Sequence, residues 1–180
     1  MIYLLFIFLV LSIIAVVFAI SIIIGLVRTG GVPFISTPRK DFDNILQAVK
    51  IQSGQTICDL GCGNAGFIIR AAKKYGAKGV GYELSLWPYV WARFNIWLSR
   101  VDVKIYMKDF FQADLSNADV VFCYLFPEIM KKLELQFEQK LKLGAKVVSY
   151  GFKLPNKKPD EETVTNDDRP ELGRIYVYQF

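Results

Sequence analysis

The sequence predicts an α/β protein with a doubly wound, mostly parallel sheet, preceded by one transmembrane helix. Two observations predict the sheet: short β-branched runs alternate with longer helical patterns, and acidic or glycine-rich turns follow several of these runs. Such alternation is typical of parallel strands joined by right-handed crossovers. The third observation is an apolar segment with no charged side chain before Arg28. Together they divide the chain into an anchor (residues 2–27), a linker (residues 28–37) and one domain (residues 38–180).

The apolar segment Ile2–Val27 is long enough to cross a bilayer, whose hydrocarbon layer needs about 20 residues. A cleaved signal peptide is the alternative, but no basic side chain precedes the run, and the run exceeds a signal peptide's apolar region. Basic residues follow at Arg28, Arg39 and Lys40, and such residues mark the cytoplasmic flank of a membrane helix. We therefore expect a single-pass membrane protein whose domain lies in the cytoplasm, with the lipid bilayer as a partner.

Turn-forming residues occupy both ends of the segment Gly30–Pro38, between the anchor and the domain. Thr37 and Pro38 predict the start of the domain's first helix, because threonine is a good N-cap and proline is favoured at the first helical position. We expect that helix over Pro38–Lys50, ended by Gly54. A linker this short keeps the domain within about 30 Å of the membrane.

Strands and helices then alternate. The predicted strands are Thr56–Cys58, Gly79–Glu83, Val103–Met107, Asp119–Leu125 and Ala145–Gly151. The predicted helices between them are Ala65–Tyr75, Ser85–Ser99 and Pro127–Leu141. Phe152–Gly173 lacks periodicity and is predicted as a loop, while Arg174–Phe180 alternates and is predicted as an antiparallel last strand at the sheet edge. The expected fold is Rossmann-like with a reduced C-terminal end, and with fewer elements than a complete seven-stranded sheet.

The predicted helix Ser85–Ser99 holds all three tryptophans of the chain, Trp87, Trp91 and Trp97. The interpretation we favour is a helix packed against the sheet. The alternative is contact with the membrane interface, since tryptophan rings prefer the headgroup level.

A glycine-rich turn follows the first strand, in the segment QTICDLGCGNAG (Gln55–Gly66). Gly61 and Gly63 allow backbone angles that a Cβ forbids and let a ligand approach the backbone. The N–H groups at the start of the next helix point at that ligand. Asp59 ends the first strand, and Glu83 ends the second, 22 residues beyond Gly61. That is the distance at which an acid reaches the ribose hydroxyls of a bound nucleoside, so the pattern predicts a nucleoside cofactor.

Two such cofactors are NAD and S-adenosylmethionine, and the spacing Gly61-x-Gly63-x-x-Gly66 alone does not separate them. Asp59 favours S-adenosylmethionine, because its carboxylate would face the positively charged methionine end and would repel a pyrophosphate. A tight strand–helix turn without a ligand remains an alternative.

The composition excludes several kinds of chemistry. The chain has no histidine, which excludes Ser–His, Cys–His and histidine–metal mechanisms. Its three cysteines provide neither a disulfide framework nor a zinc site, and we expect no metal. We interpret the net charge of +5 as a solvated face near an anionic membrane surface. We expect no nucleic-acid partner, since no basic run is interleaved with aromatic residues in a binding motif.

With these residues in place, the chain resembles seven-strand-type S-adenosylmethionine-dependent methyltransferases. More narrowly, it is similar to small membrane-anchored protein-lysine methyltransferases related to those acting on the adenine nucleotide translocase and the c subunit of ATP synthase. The matching pieces are VPFISTPR, DLGCG, GYEL, KDFFQADLSNADVVF, YLFPEIMKKLE and GAKVVSYGFKLP. The resemblance implies S-adenosyl-L-methionine as cofactor, S-adenosyl-L-homocysteine as product, and a lysine-bearing membrane protein as substrate.

The resemblance also implies roles for individual residues. The cofactor would contact Asp59, Gly61, Cys62, Gly63, Glu83, Leu84, Asp109 and Phe110. Asp59 and the glycines would lie at the methionine and ribose side, and Asp109 with Phe110 at the adenine. The implied substrate contacts are Thr37, Arg39 and Pro127, and the implied catalytic residues are Tyr124 and Glu128.

Methyl transfer needs a neutral amine, whereas a lysine with a pKa of about 10.4 is almost fully protonated at neutral pH. Our hypothesis is that Glu128 orients the ammonium and accepts its proton. The alternative is that Glu128 only complements the dipole of the helix that follows Pro127. Competing functions are methylation of a small molecule or lipid, an NAD-dependent oxidoreductase, and a catalytically idle membrane module.

Overall fold

The computed structural model describes residues 1–28, 35–165 and 173–180. Its α-helices are α1 (Ile2–Arg28), α2 (Phe42–Ala48), α3 (Gly66–Tyr75), α4 (Leu86–Ser99) and α5 (Pro127–Lys140). Its strands are β1 (Thr56–Leu60), β2 (Lys78–Tyr82), β3 (Val103–Tyr106), β4 (Val120–Cys123), β5 (Lys146–Tyr150), β6 (Glu161–Val164) and β7 (Arg174–Gln179). Short 3-10 helices span Arg39–Asp41 and Phe110–Gln112. Residues 29–34 of the predicted linker and 166–172 of the predicted loop lie outside the described residues.

The seven strands form one sheet in the order β3-β2-β1-β4-β5-β7-β6. Strands β1 to β5 pair in parallel, while β7 pairs antiparallel with β5 and with β6. The predicted mostly parallel sheet with an antiparallel last strand is thus confirmed. In this arrangement the carboxyl ends of β1, β2 and β4 meet at one edge of the sheet.

Helices cover both faces of the sheet, which makes it doubly wound. On one face Phe122 of β4 packs against Phe67 of α3, with ring centroids 4.1 Å apart. On the other face Val121 lies in a core with Met130 and Leu133 of α5. Successive side chains of β4 therefore pack on opposite faces of the sheet, as expected for a strand buried on both faces.

The first helix of the domain is shorter than predicted. A 3-10 turn at Arg39–Asp41 leads into α2, which ends at Ala48 rather than Lys50. Lys50 has a φ of +53°, which a helix cannot continue. Thr37 does not cap this helix; the residue before the 3-10 turn is Pro38, in extended conformation and with no side-chain cap.

Strand β6 forms inside the loop predicted over Phe152–Gly173, so the sheet has one strand more than the six predicted from the sequence. All four residues of β6 are exposed, so it lacks the apolar alternation that marks a strand in sequence. Its Glu162 pairs with Arg174 of β7 at 2.9 Å and with Lys153 at 3.0 Å. The C-terminal end is nonetheless reduced, since residues 151–160, which the structure describes, form no helix between β5 and β6.

Helix α4 packs against the sheet at β3, as predicted, but its tryptophans take no part in that packing. Ala92 is the buried residue of α4, whereas Trp87, Trp91 and Trp97 are 40%, 59% and 73% exposed. The three indole rings therefore lie on a face of α4 that points away from the sheet.

The N-terminal segment forms the long helix α1. Residues Ile2–Ser21 have a mean hydropathy of 3.1 and are not buried in the domain, and among the described residues this is the one helix long and apolar enough to cross a membrane. It touches the domain at α4, where the Trp87 indole donates a hydrogen bond to the Ser21 hydroxyl and packs against the Phe18 ring, with centroids 5.3 Å apart.

Candidate active site

The glycine turn between β1 and α3 is tied to the end of β2. Gly61 and Gly63 adopt φ values of +84° and +54°, which a side chain would strain. The backbone N–H groups of Gly61 and Cys62 both donate to the Tyr82 carbonyl, at 2.9 and 3.0 Å. Cys62 also packs closely on Gly81, where a Cβ would come within 2.7 Å of its sulfur. The turn is therefore held rigidly at the carboxyl edge of the sheet.

Glu83 fastens this turn from the neighbouring strand. Its carboxylate is buried and accepts hydrogen bonds from the backbone N–H of Gly63 at 3.0 Å and of Ser85 at 2.7 Å. Each carboxylate oxygen has a second lone-pair site. Glu83 can therefore hold the turn and still accept the two hydroxyls of a ribose, and its contact with the ribose stays a prediction.

Asp59 is a buried acid that lines a cavity beside the turn. Burial, together with the nearby charge of Glu83, raises the pKa of Asp59 to about 8. A buried acid beside a second acid is held partly neutral. A positive sulfonium beside it would compensate the carboxylate, so the site fits such a ligand better than it fits a pyrophosphate.

A cavity that is open to solvent lies beside the glycine turn. It is lined by residues 35–37, by Asp59, by the glycine turn, and by Phe122 and Tyr124 at the end of β4. Thr37, predicted to contact substrate, and Tyr124, predicted to be catalytic, thus line the same cavity as Asp59, which is predicted to lie at the methionine side of the cofactor.

Tyr124 is held in place by an arrangement that sequence reasoning missed. Its ring meets the Tyr150 ring edge-on, with centroids 5.0 Å apart, and it packs against Gly151. The Tyr150 hydroxyl donates to the buried carboxylate of Asp41 at 2.7 Å. Burial is the main reason why the pKa of Tyr150 is raised, and the hydrogen bond to the Asp41 carboxylate raises it further. Burial also raises the pKa of Tyr124. Both phenols therefore stay protonated at neutral pH.

Comparison with known proteins decides the family. A family model described as the ANTKMT methyltransferase domain matches residues 59–161, which contain the glycine turn, Glu83 and Tyr124. The chain belongs to the ANTKMT methyltransferase domain family.

Two curated relatives of this ANTKMT-family chain are about one-third identical to it over the aligned residues. The protein-lysine N-methyltransferase of Saccharolobus islandicus (strain REY15A) is 32% identical over 150 residues, covering 82% of this chain and 92% of that protein. The lysine N-methyltransferase of Homo sapiens named for the c subunit of ATP synthase is 31% identical over 133 residues, covering 73% of this chain and 56% of the human protein. The chain thus spans little more than half the length of the human relative.

Among solved structures, an RNA methyltransferase from Salinibacter ruber in complex with S-adenosyl-L-homocysteine matches with a TM-score of 0.75 and 31% identity. The match covers 81% of this chain and 93% of that one. With the family, this neighbour identifies S-adenosyl-L-methionine as the cofactor of this methyltransferase, as the sequence predicted.

The remaining predicted site residues of this ANTKMT-family domain lie outside the cavity lining. Asp109 follows β3 and accepts a hydrogen bond from the Phe111 N–H at 2.9 Å, capping the 3-10 helix that begins at Phe110. Leu84 and Phe110 are half-buried at the same sheet edge as Glu83, on the adenine side that the resemblance implies. These assignments stay predictions.

On the predicted substrate side, Pro127 and Glu128 form the exposed first turn of α5, three and four residues beyond Tyr124. Arg39 is exposed in the 3-10 turn that follows Thr37. None of these three is among the cavity's lining residues. Their roles stay predictions too.

Proposed function

We propose that this protein is a membrane-anchored methyltransferase that transfers a methyl group from S-adenosyl-L-methionine to the side-chain nitrogen of a lysine on a membrane protein. The observation that carries the proposal is the shared cavity: the buried acid Asp59, the glycine turn, Tyr124 and Thr37 line one space. A cofactor methyl group and an incoming lysine can meet there. The two curated relatives are both named as lysine N-methyltransferases, which supports the same substrate class.

S-adenosyl-L-methionine supplies an activated methyl group whose departure leaves a neutral thioether. Asp59 attracts the positive methionine end, and Glu83 holds the ribose hydroxyls. The hydroxyl of Tyr124, which stays protonated, can accept a hydrogen bond from the lysine nitrogen and so orient it, but it cannot take its proton. We assign that proton to Glu128 or to water. Orientation of the reacting atoms contributes most of the remaining rate.

The membrane part of the proposal is supported by α1. Its apolar residues Ile2–Ser21 span about 30 Å as a helix, which matches the hydrocarbon thickness of a bilayer. With the basic residues Arg39 and Lys40 after it, we assign a single crossing with the domain in the cytoplasm. Such tethering concentrates the domain on membrane proteins and disfavours dilute soluble substrates.

The proposal is tested with the full chain in nanodiscs, incubated with methyl-labelled cofactor and detergent-solubilised membranes. Label on a protein, located to lysine by mass spectrometry, supports the proposal. Label in lipid, in RNA or in small molecules, with none in protein, contradicts the substrate class. Absence of transfer to any fraction, despite cofactor binding, indicates an idle module.

Two variants serve as controls for this experiment. Gly63→Val places a side chain at a φ of +54° in the cofactor turn and should abolish transfer. Leu143→Gln changes a residue that is 97% exposed, outside the site, and should leave transfer unchanged.

A further inference from the structure

The exposed face of α4 carries an apolar stripe that nothing in the described part of the domain covers. Its members recur at helical spacing along the whole helix: Leu86, Trp87, Val90, Trp91, Phe94, Trp97 and Leu98. After α1, the described residues include 13 exposed large hydrophobic side chains, and seven of these are on this one helix. An exposed apolar surface of this kind marks an interaction site rather than ordinary surface.

The composition of the stripe fits a lipid interface. Trp91, Phe94 and Trp97 form a ladder of neighbouring rings, with centroids 5.7 and 6.0 Å apart. Tryptophan is enriched where a bilayer's headgroups meet its acyl chains. The helix has no acidic residue, and its Arg93 and the C-cap residue Arg100 are exposed, which suits anionic headgroups.

The contact between α4 and α1 sets the depth of the stripe. Trp87 touches Phe18 and Ser21, at the domain side of the apolar span Ile2–Ser21. If that span crosses the hydrocarbon layer, Ser21 lies near its boundary, and the start of α4 lies at the same level. The stripe is therefore continuous with the surface that α1 presents to lipid.

We propose that α4 lies in the membrane interface, with its apolar stripe among the headgroups and upper acyl chains of the bilayer that α1 crosses. This rests on the proposed membrane anchor. It adds a second membrane contact, which fixes the orientation of the domain as well as its distance from the bilayer. Because α4 begins three residues after Glu83, the carboxyl edge of the sheet, where the cavity opens, stays close to the lipid surface.

The test uses the tryptophans themselves, since all three lie on α4. Two full-length variants each keep one tryptophan, Trp87 or Trp97, with the others changed to phenylalanine. Both are reconstituted into phosphatidylcholine–phosphatidylglycerol vesicles with bromine at the headgroup-proximal part of the acyl chains. Trp87 lies beside α1 and should be quenched in any case. Trp97 is about 15 Å further along the helix and is the deciding reporter.

If α4 lies in the interface, most of the Trp97 emission is lost in brominated vesicles, and its spectrum is blue-shifted relative to the urea-unfolded chain. If Trp87 is quenched and Trp97 is not, the helix leaves the membrane and the proposal is wrong. A third outcome is that Trp97 is shielded from aqueous iodide but is not quenched by lipid bromine, and that copies of the chain crosslink. A second chain would then cover the stripe, and the proposal would also be wrong.

Two further measurements separate this proposal from the proposed function. Vesicle flotation reports the anchor: a chain that does not float with the vesicles contradicts both the anchor and the interfacial helix. Methyl transfer in the same vesicles reports the enzyme: transfer without Trp97 quenching overturns the interfacial helix alone. As a matched variant, Phe94→Gln with Leu98→Gln should reduce Trp97 quenching, whereas Leu135→Gln on the exposed face of α5 should not.

Discussion

The Glu83 carboxylate accepts a hydrogen bond from the backbone N–H of Gly63 at 3.0 Å, joining the end of β2 to the cofactor turn after β1. The second carboxylate oxygen accepts from the Ser85 N–H, so one acid fixes both the turn and the start of α4. Glu83 therefore stabilises the fold in addition to its predicted contact with the ribose. Substitutions of Glu83 should change both the stability of the domain and its affinity for the cofactor.

Glu83→Gln should lower both stability and cofactor affinity. A glutamine side chain presents one acceptor and one donor group, so one of the two backbone N–H groups faces another donor. Loss of a buried hydrogen bond to a charged group costs about 1.5–3 kcal/mol. Urea unfolding of the domain within the full chain measures the stability, and calorimetry with S-adenosyl-L-homocysteine measures the affinity.

The matched control is Glu161→Gln, which removes a 3.2 Å ion pair with Lys50 between side chains that are 51% and 71% exposed. Such a pair contributes less than about 1 kcal/mol. Equal effects of the two substitutions would contradict the role given to Glu83.

Asp59→Asn should weaken S-adenosyl-L-methionine binding more than S-adenosyl-L-homocysteine binding. The two ligands differ by the positive charge on sulfur, and Asp59 is the buried carboxylate that lines the cavity. We expect the affinity for S-adenosyl-L-methionine to fall about tenfold, which corresponds to about 1.4 kcal/mol, and the affinity for S-adenosyl-L-homocysteine to fall less. Calorimetry with each ligand measures the difference.

Asp43→Asn makes the same substitution at an acid that pairs with Arg70 at 2.6 Å on the surface. It should leave both affinities unchanged. An equal loss for the two ligands in Asp59→Asn would mean that the carboxylate contacts the part they share.

Asp59 also makes the stability pH-dependent. Its pKa rises from 3.8 to about 8 on folding, so the folded state binds this proton more tightly than the unfolded state. The stability it contributes is fully present below about pH 4 and is lost as the pH rises through about 8. The free energy of unfolding of the wild type, minus that of Asp59→Asn, should therefore decrease between about pH 5 and pH 9. The subtraction cancels the contribution of other acids to the pH dependence of stability. Asp43 and Glu162, for example, have lowered pKa values and make the protein less stable at acid pH in both the wild type and the variant.

The sequence could predict the parts of this site that are formed by residues close together along the chain. The glycine turn and the acids Asp59 and Glu83 follow strands directly, and strand ends meet at one edge in any parallel sheet. The link between Asp41 and Tyr150 joins residues 109 positions apart, so no local spacing indicates it.

Two other features show where periodicity stops being informative. It predicted the helix that holds the tryptophans, but it could not indicate whether these side chains face the sheet or stay exposed. The edge strand β6 is held by backbone pairing with β7 and has an exposed side chain at every position, so it carries no pattern of burial.

Tyr150→Phe should reduce both stability and turnover. It leaves the buried Asp41 carboxylate without the hydroxyl at 2.7 Å, at a cost of about 1–3 kcal/mol. It also loosens the 3-10 turn that follows the cavity-lining residues 35–37, so kcat/KM for the protein substrate should fall. Urea unfolding and steady-state kinetics measure the two effects.

Tyr178→Phe is the matched control, since the Tyr178 hydroxyl accepts a hydrogen bond from the Leu154 N–H at 2.9 Å away from the cavity. It should lose similar stability and keep kcat/KM. If both variants lose activity in proportion to stability, the link to Asp41 has no part in substrate binding.

The last prediction concerns the lysine proton. If Glu128 accepts it, Glu128→Gln should lower kcat at pH 7 by about 10²-fold, and the deficit should shrink as the pH approaches the lysine pKa of about 10.4, where the amine is already neutral. Glu138→Gln, at an exposed position on the same helix, should leave the pH–rate profile unchanged. If Glu128 only complements the helix dipole, its substitution should cost about 0.3–1 kcal/mol of stability at every pH and leave kcat intact. Water would then remove the proton, with Tyr124 orienting the amine, and Tyr124→Phe should lower kcat without changing the pH at which the rate rises.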